Sequence, residues 1–225
     1  GKFEGVKNEI VHHYEALIRQ GVSIDLVAPD ADFSPYKVLV LPLLYLVDDS
    51  LAESLLRFAE AGGTLIGTYL TGQVNASDKC HLGGFPGPLK SVFGVWAEEL
   101  HVIPPHDRPQ IDFGEAHYEC SDFIELLRPE AAGVAATFSS GIYAGEPAIT
   151  ERKVHYGKAI YLGAKLDREG LQAFYGQHLL EAGVTRSWEG HLPEGVYAVR
   201  RGNTIFVMNF SNRAAKLSVD SPFTD

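Results

Sequence analysis

The stretch Lys37–Leu44 (KVLVLPLL) constrains this chain more than any other. It is apolar and β-branched almost without a break. A strand with one wet face would alternate, so this run belongs to a strand covered on both sides. The next thirty residues fit that reading. Asp48 or Asp49 can cap a helix whose buried stripe is Leu51, Ala52, Leu55, Leu56 and Ala59. Gly62-Gly63 ends the helix, and Thr64–Leu70 (TLIGTYL) is a second strand. Strand, helix and strand in this order predict an α/β layer architecture with right-handed crossovers and a mostly parallel sheet.

The flanking segments extend the pattern. Residues 4–20 read as an amphipathic helix, with Val6, Ile10, Tyr14, Leu17 and Ile18 at spacings of three and four and Gly21 at the stop. Ser23–Ala28 (SIDLVA) reads as a short strand. Val95–Ile103, Ala135–Phe138 and Ala159–Gly163 are further expected strands, and residues 104–110 a loop. Asp167 is a helix cap, ahead of a stripe of Leu171, Phe174, Tyr175, His178 and Leu179 that Gly183 closes. Residues 71–94 hold five glycines and two prolines, which exclude a helix or central strand there. So long an irregular stretch in a compact domain needs a job or a packing partner. Beyond Gly183 the texture changes to short strands, Gly195–Arg201, Thr204–Phe210 and Lys216–Val219, with Gly202-Asn203 as a hairpin turn. The expected division is 1–186 and 187–225. The second part is too short for a core of its own, so it packs on the first or belongs to a truncated β module.

Composition excludes several function classes. Acidic residues outnumber basic ones, 29 to 19, for a net charge of −10, which argues against a nucleic-acid partner. Two cysteines cannot build a disulfide scaffold or a four-thiolate metal site. The longest apolar stretch, Val38 to Val47, contains Pro42 and ends at Asp48, so no membrane span is expected. Residues 1–10 lack the apolar centre of a signal peptide. A chain starting directly in a helical pattern is expected to be cut from a longer one. The acidic balance and free thiols predict a cytoplasmic setting.

No reactive constellation emerges. An α/β domain of this size invites comparison with the flavodoxin-like class I glutamine amidotransferases, which place a nucleophile on a tight strand-to-helix elbow. The strand end near Leu65–Thr71 offers Tyr69, Thr71 and Gly72 there, but no Cys or Ser. Cys80 has no strand before it, and Cys120 reads as lying at a loop-to-helix junction. His12 and His13 are adjacent on a helix and point about 100° apart; His101, His106 and Asp107 are a weak metal grouping against a plain surface reading. Gly83-Gly84-Phe85-Pro86-Gly87-Pro88 lacks the lysine of a phosphate loop, and its prolines remove amide donors. Glu98 and Glu99 face opposite sides of a strand, and Glu125 and Glu130 bracket an expected helical end. Solvated surface acids are the plainer reading of both pairs.

The stretch from Gly21 through Leu70 resembles the trimerisation domain of the family 42 glycoside hydrolases, which are β-galactosidases. Thr71-Gly72-Gln73-Val74-Asn75, the run Gly83 to Leu89 and Phe93-Gly94-Val95 fit its glycine-rich segment. Pro147 to Thr150 and Tyr156 to Gly163 resemble its late strands, and Pro193 to Phe210 the opening of its small C-terminal β domain. Asn75 departs from the pattern, which would have an acidic residue there. The resemblance implies an amidotransferase-like three-layer fold without that fold's nucleophile. It implies no cofactor, no metal and no catalytic residue in this chain, because the family's catalytic glutamates lie in a (β/α)₈ barrel that needs about 250 residues of its own. The implied role is self-assembly into a homotrimer beside the parent's catalytic barrel, with neither nucleic acid nor membrane as partner. The expected contact lies in residues 71–105, at Phe85, Leu89, Phe93 and Trp96; these groups could equally fill the domain's own core. The competing readings are a carbohydrate-binding module and an amidotransferase-like hydrolase using Cys80 or Cys120.

Overall fold

Helices and strands build a five-stranded, a four-stranded and a two-stranded sheet. The computed structural model describes residues 4–188 and 192–217. In chain order the elements are α1 (Glu4–Ile18), β1 (Val38–Leu41), α2 (Asp49–Glu60), β2 (Thr64–Thr68), α3 (Lys90–Phe93), β3 (Val95–Val102), β4 (Gln110–Phe113), β5 (Ala116–Pro129), β6 (Gly133–Thr137), β7 (Pro147–Val154), β8 (Gly157–Leu162), β9 (Ala164–Leu166), α4 (Arg168–Glu181), β10 (Val196–Arg201) and β11 (Thr204–Asn209). Both expected caps form. The Leu51 N–H donates to Asp48 Oδ1 at 2.8 Å and the Gly170 N–H to Asp167 Oδ1 at 2.7 Å, satisfying N–H groups that a helix start leaves free.

The main sheet has the order β1-β2-β8-β7-β6. β1, β2 and β8 are parallel, but β7 and β6 join antiparallel. The sheet is therefore mixed rather than mostly parallel. The cause is local: only His155 and Tyr156 separate β7 from β8, and so short a connection permits an antiparallel pair alone.

The second sheet overturns a larger expectation. Cys120 and Glu125 lie neither at a helix junction nor at a helix end. They sit in β5, a 14-residue strand that pairs β3, β4 and β9. Phe123, Ile124 and Leu127 have a spacing that also suits a helix; long-range pairing decides for the strand. Two hydrophobic clusters fill the interior. One gathers α1, α4, β4, β5 and the facing side of the main sheet; the other lies between the sheet, α2 and α3.

Ser23–Ala28 does not form the expected strand. Among the described residues it is not paired with any strand, and it lines a groove together with β1. Of the expected strand Lys216–Val219, Lys216 and Leu217 are not in a strand, and the remainder lies outside the described residues. Among the described residues no helix is long and apolar enough to cross a membrane.

Candidate functional site

The carboxyl ends of β1, β2 and β8 are where an α/β sheet places its chemistry. After β2 the chain turns at Leu70 into irregular backbone rather than into a helix. Leu70, with φ +61°, occupies the strained position. The side chain there is apolar and carries no nucleophile. Neither thiol replaces it. Cys80 is exposed and bridges to Val74. Cys120 is fully buried in β5, and burial, helped by the charges of Asp167 and Glu119, pushes its thiol up, away from the reactive thiolate.

What the turn does hold is a buried carboxylate. Glu125 is 1% exposed. Its Oε1 accepts from the Leu70 N–H at 2.9 Å and from Gln73 Nε2 at 3.5 Å, and its Oε2 accepts from the Tyr161 hydroxyl at 2.8 Å. Burial pushes its pKa up to about 7, against the opposing pull of the Leu70 and Tyr161 donors. Nearby, the Tyr69 hydroxyl donates to Glu9 at 2.7 Å, and Lys165 joins Glu9 to Asp122. These groups fix the turn to β5, β8 and α1. The sequence suggested only a solvated acid at Glu125, because its partners Leu70 and Tyr161 lie 55 and 36 residues away.

The anticipated metal groupings do not assemble among the described residues. His101 is held between Glu99 and the Tyr143 hydroxyl, while His106 is exposed. His12 reaches the Leu166 carbonyl and His13 the Tyr175 hydroxyl, so the two rings serve different partners. Glu98 pairs with Arg128, and Glu130 is exposed, far in role from the buried Glu125. The structure does bring Glu151, His178 and Glu181 together. Lys158 already binds both carboxylates there, at 3.0 and 2.6 Å, and supplies the positive charge that a cation would.

From this turn springs the glycine-rich excursion, and it is tied down along its length. The Gly72 and Gln73 N–H groups donate to the Leu44 and Tyr45 carbonyls, both at 2.8 Å, and the Val47 N–H to Val74. The Asn75 side chain accepts from the Ser77 and Lys79 N–H groups at 2.9 and 3.2 Å; an amide oxygen suffices for that turn, so the missing acid costs the loop nothing. His81 Nε2 lies 2.9 Å from the Val47 carbonyl oxygen. Further on, the Ala97 N–H donates to the Phe85 carbonyl at 2.8 Å. Gly72 (φ +63°) and Gly87 (φ +57°) bring the two ends of the excursion together: a Cβ on Gly72 would strike the Pro86 carbonyl, and one on Gly87 would crowd the Gly72 carbonyl.

The four expected contact residues divide. Leu89 and Phe93 are 0% and 1% exposed and belong to the core against α2, where the Phe93 ring meets Tyr161 edge-on at 5.2 Å. Side chains without surface cannot meet another subunit, and these two are corrected to core residues. Phe85 and Trp96 are partly exposed, with Lys90 Nζ lying 5.9 Å from the Trp96 ring centroid. Leu82, at the tip of the excursion, is 99% exposed, and Tyr45 and Leu46 are exposed at the same end of the sheet.

Fold and site together define an α/β domain with an apolar residue, Leu70, at the turn after β2 and an irregular segment tied by hydrogen bonds to the exit of β1 and to β3. The chain belongs to the β-galactosidase trimerisation domain family, whose model matches residues 4–185. It is 37% identical to β-galactosidase BglY of Alicyclobacillus acidocaldarius over 222 residues, covering 94% of this chain and 32% of that protein. It is also 37% identical to β-galactosidase Pbg of Clostridium perfringens, covering 95% of this chain and 33% of the relative. Among solved structures, the β-galactosidase from Rahnella sp. R3 superposes with a TM-score of 0.86 at 33% identity, over 93% of this chain and 32% of that one. The chain thus spans about a third of the length of the relatives it matches.

Proposed function

We propose that this chain is the non-catalytic assembly portion of a β-galactosidase. In that reading the parent enzyme hydrolyses terminal non-reducing β-D-galactosides in a catalytic barrel outside this chain. Residues 1–186 are an amidotransferase-like, flavodoxin-like trimerisation domain, and 187–225 open a small β domain. The acidic balance fits a cytoplasmic enzyme.

The observation that carries the reading is the family match across residues 4–185. The apolar side chain at Leu70 supports it from the chemical side. A trimer built from one repeated heterologous contact closes only at a fixed rotation, and a rigid excursion suits that requirement better than a mobile loop. Phe85 and Trp96 are the proposed contact residues, with Leu82 beside them. Light scattering on the purified chain tests this. Three copies of 24.6 kDa are expected, falling to one when Phe85 and Trp96 are replaced by serine. A chain that stays monomeric at every concentration, or a variant with unchanged mass, overturns the assignment.

A further inference from the structure

Two acids are buried among the described residues, Glu9 and Glu125. Glu9 has Lys165 beside it. Glu125 pairs with no cation among the described residues. The charged groups of the surrounding elements are engaged with one another. Lys165 of β9 is shared by Glu9 of α1 and Asp122 of β5, and the Tyr69 hydroxyl at the turn also goes to Glu9. Lys158 of β8 binds Glu151 of β7 and Glu181 of α4, and Arg152 of β7 reaches the Ser91 carbonyl. On β3 the residue opposite Glu125 is Leu100, and its neighbours Glu99 and His101 hold each other. Neutral donors alone reach the Glu125 carboxyl, and they offset only part of what an ion loses on leaving water.

Two of those donors, the Leu70 N–H and the Gln73 amide, belong to the turn from which the excursion springs. Leu70 is held there at φ +61°, a conformation that residues other than glycine adopt at a cost. The same turn bears on the far end of the excursion. Gly72 approaches Pro86 so closely that a Cβ would strike its carbonyl. Pro86 follows Phe85, whose carbonyl receives the N–H of Ala97, next to Trp96. A movement of residues 70–73 therefore reaches both proposed contact residues through packed backbone.

We propose that Glu125 is a proton-operated clamp on the root of the excursion: protonated, it stays buried and keeps residues 70–73 closed, and ionised, it favours an opened turn in which the carboxylate meets water. Assembly through Phe85 and Trp96 is thereby regulated by pH, an inference that rests on the assembly role proposed above. The direction follows from linkage. The closed turn holds the carboxyl proton up to about pH 7, and an opened one holds it only to the ordinary value of 4.5, so rising pH favours opening through that interval. His13 titrates against Glu125 when the whole chain unfolds, but its ring is bonded to Tyr175 of α4 rather than to the turn. The pH dependence of local opening is therefore that of Glu125.

Hydrogen exchange of the 225-residue chain, read by mass spectrometry and corrected for the intrinsic effect of pH, tests this. Protection of the amides of residues 70–74 is expected to fall about tenfold between about pH 6 and about pH 8. Glu125→Gln keeps the shape without the titrating proton and is expected to hold that protection level. A level profile in the parent chain, or an equal fall in Glu125→Gln, overturns the proposal. Tyr161→Phe keeps the acid and removes one donor to its charged form, so the fall is expected to deepen; a fall no deeper than the parent's contradicts the clamp even where Glu125→Gln fails to fold. Light scattering over the same range reads the assembly. The trimer is expected to dissociate at lower dilution as pH rises, and not to do so in Glu125→Gln. A trimer whose exchange ignores pH overturns the clamp and leaves the assembly role standing, whereas a chain monomeric at every pH removes the assembly role on which the regulation depends.

Discussion

The excursion 71–94 and the segment 22–28 reverse what their sequences advertise. The first is rich in glycine and proline and unfit for regular structure; it is nonetheless bonded to β1's exit, to Asn75 and to β3 at successive points. The second has strand composition; it pairs with no strand and leaves Leu26 almost fully exposed. Local order follows the satisfaction of backbone groups, and propensity decides it only when a partner lies within reach.

The sharpest way to break this contrast is to attack the excursion where it merges with the core. Phe93→Ala empties a site against Tyr161 and is expected to cost about 3–5 kcal/mol in urea unfolding. The Trp96→Ser change nearby, on a partly exposed side chain, is expected to cost well under half of that while altering mass in solution. Equal costs would mean that Trp96 too is a core residue.

The root of the excursion is expected to titrate. Glu125, ordinarily near 4.5, is held at about 7 in the fold. Between those values the folded chain keeps a proton that the unfolded chain has lost. Stability from this group therefore falls as pH rises through 4.5 to 7, by about 1.4 kcal/mol per unit. His13 works against it. Burial first, then the charges of His12 and Lys165, lower it from 6.5 to about 3, so its stabilising contribution is lost as pH falls below 6.5. Over the shared window the two slopes oppose each other. Glu125→Gln is expected to leave stability rising with pH there, and His13→Phe to leave it falling, in thermal melts across the window. Parallel profiles for the two variants would contradict the assignment of either group.

The close approach of the excursion's ends gives a third test. Gly72→Ala introduces a side chain at positive φ and against the Pro86 carbonyl; the backbone strain alone is about 1–3 kcal/mol. At the small end, Asn75→Ala removes a side chain that holds two N–H groups and is expected to cost about 1 kcal/mol. Leu26→Ser, on an 83% exposed side chain of the unpaired segment, is expected to stay within about 0.5 kcal/mol of the parent. If Leu26→Ser proves the costlier of the two, the segment is more firmly held than its contacts suggest.

Much of the fold was legible. KVLVLPLL, the helix after Asp48 and TLIGTYL emerged as β1, α2 and β2, because a doubly covered strand and a capped helix write their environment into short windows. Asp167 and its stripe likewise marked α4. The antiparallel half of the main sheet was not legible, since it depends on how far the two-residue link at His155-Tyr156 lets β7 turn back. β5 was hidden for a related reason: FIELL suits either period, and its partners lie in β3, β4 and β9. Of the site, the residues of the turn after β2, Tyr69 to Gly72, could be read directly. Leu89 and Phe93 looked like contact residues because irregular chain suggests exposure; only the packing of α3 against the sheet reveals them as core. Glu125 read as a solvated acid and is 1% exposed, because a buried acid and a surface acid are the same letter.

Turnover assays on the purified 225-residue chain with a chromogenic β-galactoside test the central claim most directly. No release of chromophore above the uncatalysed rate is expected, because in the proposed reading the paired carboxylates that glycoside hydrolysis needs lie in a barrel outside this chain. Steady turnover abolished by replacing one side chain, Cys80, Cys120 or Glu125 among them, would contradict it.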